Sequence, residues 1–216
     1  MKLVLHGLYS LVIYLLRIAT QASEKSHLEV ERKFRISAQD AMSLPARLPT
    51  KGFLPAGTVD MTDTFLPAKN EGDMIRIRRE SEGSRRQILL TLKKWVVTSD
   101  GGKEREETEG SISGVVAVIL MWLGRSLRGS SLLSFSKRRQ LFAGTLAGRQ
   151  AVISVDTVSG LGSYSGTYLE IEVLVPVGED VNGARESIYA TAAQLLPDAE
   201  QVKQSYMDML KLATVA

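Results

Sequence analysis

Apolar and polar side chains alternate with a period of two over about eight stretches of this chain, the pattern of strands with one buried face. The first covers residues 26–36: Glu29, Glu31 and Lys33 fall on one face, and Leu28, Val30, Arg32 and Phe34 on the other. The alternation returns over residues 59–66, 74–80, 87–97, 103–112, 132–142, 151–158 and 167–175. Ser99-Asp100-Gly101-Gly102 marks a hairpin between the fourth and fifth stretches. Residues 160–166, rich in glycine and serine, read as a flexible loop. Ser37 and Ser113 predict the starts of helices over 38–48 and 114–125. Two more helices are expected over 183–196 and 198–212, with Pro197 separating them as a first-turn proline. Strands joined mostly as meanders, with helices at the edges, predict an α+β fold on a large antiparallel sheet or closed barrel.

The start of the chain breaks this pattern. Residues 1–19 are apolar but interrupted by His6 and Arg17, and the run is short against the roughly 20 apolar residues a membrane span needs. Lys2 and Ala22 could serve as the basic start and small-residue cleavage site of a signal peptide. The chain therefore divides into an N-terminal extension, residues 1–25 (signal, anchor or accessory helix), and a single domain, residues 26–216. The expected location is the cytoplasm, with a signal peptide or membrane anchor at residues 1–22 as the alternative. A membrane partner is expected only if that segment is an anchor, and a homodimer is allowed for.

Composition narrows the chemistry. There are no cysteines, which excludes disulfides, thiolate metal sites and cysteine nucleophiles. The two histidines, His6 and His27, are both N-terminal, so a catalytic triad or histidine-rich zinc site is hard to build. Any metal would be held mostly by oxygen, which suits Mg²⁺ or Mn²⁺. A net charge of +3 is too weak to point to nucleic acid, and the glutamates interleaved with the basic residues would repel a phosphate backbone.

Charge recurs at alternate positions on six strands: Glu29 and Glu31 with Lys33, Arg76 and Arg78, Lys93, Glu107 and Glu109, Lys137 and Arg139, and Glu170 and Glu172. One reading is six solvated faces of a twisted sheet. The other is a polar interior in which acids and bases from separate strands surround a multiply charged ligand and its cations, because ions are costly to bury without partners.

The order of these elements resembles the CYTH superfamily, the triphosphate tunnel metalloenzymes. Glu29-x-Glu31-x-Lys33 matches its ExExK signature. Asp63-Thr64, Arg76-Ile77-Arg78, Thr91-Leu92-Lys93, Arg105-x-Glu107-x-Glu109, Lys137-x-Arg139, Asp156 with Gly160-Leu161-Gly162, and Leu169-Glu170-Ile171-Glu172 follow in the family's order. The ending Gln204-Ser205-Tyr206 departs by a glutamine where a lysine is usual, a gap Lys203 or Lys211 could fill, and Ser163 to Thr167 look like an insertion. The resemblance implies an antiparallel eight-stranded β-barrel tunnel with flanking helices. It implies metal-dependent hydrolysis of inorganic tripolyphosphate or an organic triphosphate such as thiamine triphosphate, or cyclisation of ATP as in class IV adenylate cyclases. A polyphosphate-binding module is the non-enzyme alternative. Lys33, Arg76, Arg78, Lys93, Lys137, Arg139 and Lys203 would grip the triphosphate. Glu29, Glu31, Glu107, Glu109, Asp156, Glu170 and Glu172 would hold the metal. Glu29, Glu31 and Lys33 are the expected catalytic residues.

Overall fold

The computed structural model describes residues 2–19, 27–70, 72–97, 103–129, 131–176 and 178–215. Nine strands, β1 (His27–Ile36), β2 (Leu54–Leu66), β3 (Met74–Glu82), β4 (Arg85–Val97), β5 (Lys103–Ser111), β6 (Leu133–Leu146), β7 (Arg149–Ser159), β8 (Gly166–Pro176) and β9 (Glu200–Val202), form one sheet among these residues. Its order is β5-β4-β3-β2-β6-β7-β8-β1-β9, and a further pairing of β1 with β5 closes the first eight into an antiparallel barrel. The closing seam is short, with Leu28 opposite Glu106 and Glu29 opposite Arg105. Past that seam β1 pairs with β9 instead, Lys33 opposite Val202, so β9 lies outside the barrel. The hairpin expected at residues 99–102 falls outside the described residues.

Five helices flank the barrel: α1 (Lys2–Ala19), α2 (Ala38–Arg47), α3 (Gly114–Arg128), α4 (Asn182–Leu195) and α5 (Tyr206–Val215). Their starts follow local chemistry. Ser37 accepts from Asp40 N at the start of α2, and Ser113 accepts from Val116 N at the start of α3. Packing falls into two apolar layers outside the barrel and one at its end. On one side α2 and α4 cover β1, β7 and β8, burying Leu44, Ile188 and Leu195 against Val30, Ile153, Ile171 and Val173. On the other, Leu8, Val12 and Leu16 of α1 and Ala117 and Leu120 of α3 cover Ile75, Ile77, Leu90 and Leu92. A Cβ at Gly124 would lie 2.8 Å from Leu66 Cδ2, so the missing side chain lets α3 approach that closely. At the barrel end where β2 stops and β3 begins, Phe65, Met74, Phe135, Tyr168 and Tyr206 pack with Met209 and Leu210 of α5.

Two expectations are corrected. Residues 198–212 are not one helix: β9 intervenes, and α5 begins only at Tyr206, after Ser205 accepts from Asp208 N. The edge of β1 left free by β5 captures that segment as a strand. Residues 160–166 are not a loose loop either. Gly162–Tyr164 form a turn of 3₁₀ helix, Leu161 N donates to the Ser165 hydroxyl, and Leu161 is fully buried. Among the described residues no helix is long and apolar enough to cross a membrane, and the cleavage position considered at Ala22 lies outside them.

Candidate active site

Alternation along each strand sends one set of side chains into the barrel. The interior encloses a cavity of about 280 Å³ lined by Glu29, Glu31 and Lys33 of β1, Asp63 of β2, Arg76 and Arg78 of β3, Lys93 of β4, Glu107 and Glu109 of β5, Lys137 and Arg139 of β6, and Glu170 and Glu172 of β8. The opposite faces of β1, β3, β4 and β8, joined by β7, supply most of the two outer apolar layers, whereas the outer face of β2 and β6 carries hydroxyls, Thr62 meeting Ser136 and Thr64 meeting Ser134. Where helices cover it, the sheet therefore sorts its two faces into an apolar outside and a charged inside. Eight strands give an interior just wide enough for one small ligand.

The cations are anchored by internal counter-ions. Arg78 donates to Asp63 through Nε and Nη2 at 2.7 and 2.9 Å. Arg139 donates to Asp156 through the same two nitrogens, both at 2.7 Å, and also meets Glu170. Lys137 Nζ lies 2.9 Å from Asp156, and the Tyr206 hydroxyl donates to Asp156 at 3.1 Å. Lys33 Nζ sits 3.1 Å from Glu170 and 3.8 Å above the Tyr206 ring. Arg76 reaches Glu107, Glu109 and Thr91 through Nη2, while its Nε is buried without a hydrogen-bond partner. Lys93 bridges Glu29 and Glu107 across the β1–β5 seam.

Electrostatics separate two groups of carboxylates. Burial opposes ionisation of Asp63, but Arg76 and Arg78 overcome it and hold the carboxyl well below its usual range. Asp156 is likewise lowered, its burial outweighed by Arg139 and Lys137. Lys137 is lowered to about 8, because burial and the neighbouring Arg139 outweigh Asp156 and Glu170. Glu172 behaves differently. It faces Glu31 directly across the β1–β8 register, and burial, Glu31 and Glu107 raise it to about 7 against the weaker pull of Lys93. Burial also pushes Glu29 well above its ordinary value, opposed by Lys93 and reinforced by Glu107, Glu172 and Glu31. Glu107 of the same group goes the other way, its burial outweighed by Lys93 and Arg76, which hold it below its ordinary value.

Of the residues expected from sequence to bind triphosphate, six line this cavity and Lys203 does not: it is exposed in a neighbouring vestibule with Arg32, Trp95 and Tyr189. Of the expected metal ligands, Asp156 stands behind the lining, fully buried and engaged by Lys137, Arg139 and Tyr206. The other six line the cavity, although among the described residues no three acidic side chains form a ready metal-ligating cluster. Sequence reasoning named Asp63 and Tyr206 without giving either its structural task. Asp63 carried the signal of an acid on the same strand face as Met61 and Phe65.

A family model described as the CYTH domain matches residues 27–206. The chain belongs to the CYTH family. No curated protein matches its sequence. Among solved structures, this CYTH chain is similar to a protein from Pyrococcus horikoshii at 21% identity and a TM-score of 0.65, covering 85% of this chain and 98% of that one. A Hippeastrum protein assigned as an adenylyl cyclase, with a dominant triphosphatase activity, is similar at 16% identity and a TM-score of 0.57, over 86% of this chain and 95% of that one. A Bacillus halodurans protein assigned as an adenylate cyclase matches at 15% identity and a TM-score of 0.51, over 84% and 95%. At these identities the likeness is one of fold, and the CYTH barrel is what the four chains share.

Proposed function

We propose that this CYTH chain is a divalent-metal-dependent triphosphate hydrolase. The observation that carries the reading is the unequal treatment of charge inside one cavity: cations locked to buried aspartates beside carboxylates that repel one another. Such a cavity gains from a ligand that brings an anion to one side and a cation to the other. A triphosphate with Mg²⁺ or Mn²⁺ supplies both.

The donor set fits a hard divalent ion. Glu31 and Glu172, with Glu29 and Glu107 beside them, offer only oxygen, and their excess negative charge is what such an ion would neutralise. When bound, the ion would lower the pKa of a coordinated water and stabilise charge on the phosphoryl group. The chain's own residues do the rest. Arg76, Arg78, Lys137, Arg139 and Lys33 hold phosphate oxygens along the tunnel, and the unused Arg76 Nε supplies one further donor. Asp63 and Asp156 keep the guanidinium forks oriented before substrate arrives. The aromatic end of the barrel, Phe65, Phe135 and Tyr206, closes the cavity to bulk water on that side and so strengthens each charge interaction within it.

The test is phosphate release from tripolyphosphate with Mg²⁺ or Mn²⁺, comparing the wild type with Glu31→Gln. The variant should turn over about 10²–10³-fold more slowly, the usual cost of removing one pre-positioned charge-stabilising group. No metal-dependent release from any triphosphate would end the reading. The vestibule beside the cavity, about 540 Å³ and bordered by Arg32, Trp95 and Tyr189, favours a second reading in which the substrate carries an organic group, as ATP cyclisation requires. Chromatography of an ATP reaction separates the two: ADP with phosphate, or cyclic AMP with pyrophosphate.

A further inference from the structure

The apolar layer on the β3–β4 side is not finished at its outer surface. Ala117, Leu120 and Gly124 turn α3 toward the barrel. On the opposite side of the same helix Val115, Val118, Ile119 and Trp122 are 71%, 58%, 50% and 65% exposed. Their spacing of three, four and seven places them in one stripe. Beside α3 lies α1, which buries Leu8, Val12 and Leu16 and leaves Tyr14 61% exposed. Half of the exposed large apolar side chains among the described residues thus sit on these two helices.

A helix that is apolar all round is ordinarily buried or in lipid. At 15 residues α3 extends only about 22 Å, too little to cross a bilayer, and its inner face is already committed to the barrel. It can only lie flat. The charge pattern says on what. The sequences of α1 and α3 contain Lys2, Arg17, Arg125 and Arg128 and no Asp or Glu. Arg125 is exposed and three residues from Trp122, at the edge of the stripe. A second copy of the chain docking by this face would set the patch against itself, basic helix on basic helix with no acid from either to pair. An anionic surface with an apolar interior satisfies both parts of the pattern, and exposed Trp and Tyr are the side chains that favour its boundary.

We propose that the α1–α3 face seats the protein on anionic lipid bilayers, with Val115, Val118, Ile119, Trp122 and Tyr14 entering the headgroup boundary and the exposed Arg125 and Arg128 meeting lipid phosphates. This inference does not depend on the proposed hydrolysis. The full chain should co-sediment with vesicles of phosphatidylcholine mixed with phosphatidylglycerol and much less with phosphatidylcholine alone. The double substitution Val118→Glu with Trp122→Glu should weaken binding at least ~10-fold, with an unchanged circular dichroism spectrum and unchanged hydrolysis of a soluble substrate. In a Trp95→Phe background, brominated lipids should quench Trp122 emission. Absence of wild-type binding to the mixed vesicles, or binding indifferent to the double substitution, overturns the proposal. So does a dimer, seen by light scattering, that the double substitution dissolves, because the face then belongs to a second copy.

Discussion

The two flanks of the tunnel are built from the same kind of strand and hold their charges in opposite ways. On the cationic flank, β2, β3, β6 and β7 bring Arg78 to Asp63 and Arg139 to Asp156, each through paired hydrogen bonds. A guanidinium gripped that way cannot swing, so its remaining N–H groups are oriented before a ligand enters. On the acidic flank, β1, β5 and β8 set Glu31 against Glu172 with Glu29 and Glu107 nearby. Lys33 Nζ stands 3.9 Å from Glu31, and Lys93 is shared between Glu29 and Glu107. The cations of one flank are therefore oriented by the fold itself, whereas Glu31 and Glu172 of the other confront one another.

The largest expected effect lies on the cationic flank. Asp156→Ala strips a fully buried counter-ion from both Lys137 and Arg139 and leaves them Glu170 alone. It should destabilise the protein by about 3–5 kcal/mol, read as a lower guanidinium-unfolding midpoint. A shift within error would mean that Asp156 is not what holds those cations. Glu172→Gln tests the other flank and should move two readouts in opposite directions. Metal-supported turnover should fall about 10²-fold, while the metal-free protein should become more stable above pH 7, because a repelled charge is gone. If both readouts fell, the two flanks would be alike.

The pH dependence of the metal-free wild type sharpens the same contrast. Glu172 is raised from 4.5 in the unfolded chain to about 7 in the folded one. Between those values the native state keeps a proton that the unfolded state has released, so this group's contribution to stability falls as pH rises through the window and is level above it. Thermal melts should show the fall, Mg²⁺ should offset it, and Glu172→Gln should reduce it, leaving the part that Glu29 contributes. The smallest effects belong to residues at the margin. Ser205→Ala removes the cap that accepts from Asp208 N and should cost about 1 kcal/mol. Lys203→Ala, exposed in the vestibule, should change tripolyphosphate turnover less than about fivefold. A clearly greater loss with an organic triphosphate would assign the vestibule to the organic group.

Much of the site was legible before any coordinates. Strand periodicity put Glu29, Glu31 and Lys33 on one face, and the structure turns that face inward. The charged pairs on β3, β6 and β8 were found the same way. Lys203 and Asp156 were less legible. Both were selected by residue type at a position in the family pattern, and neither position says whether a side chain faces the cavity, stands behind its wall or sits outside. The last helix was misplaced because residues 198–205 have no strong local preference, and the free edge of β1 decides their state.

The sequence by itself determined the eight barrel strands and which of their residues share a face, because a period of two is written into each of them locally. It also determined that any metal site must be built mostly from oxygen, since the chain has no cysteine and only two histidines. Only the tertiary structure decided that the sheet closes, through a seam between Leu28–Glu29 and Arg105–Glu106 more than 70 residues away. It alone decided which acids neutralise buried cations and which confront one another, as Glu31 and Glu172 do across 141 residues of chain. The reason is that Coulomb interactions depend on distances set by register between remote strands, and no local pattern along the chain carries that information.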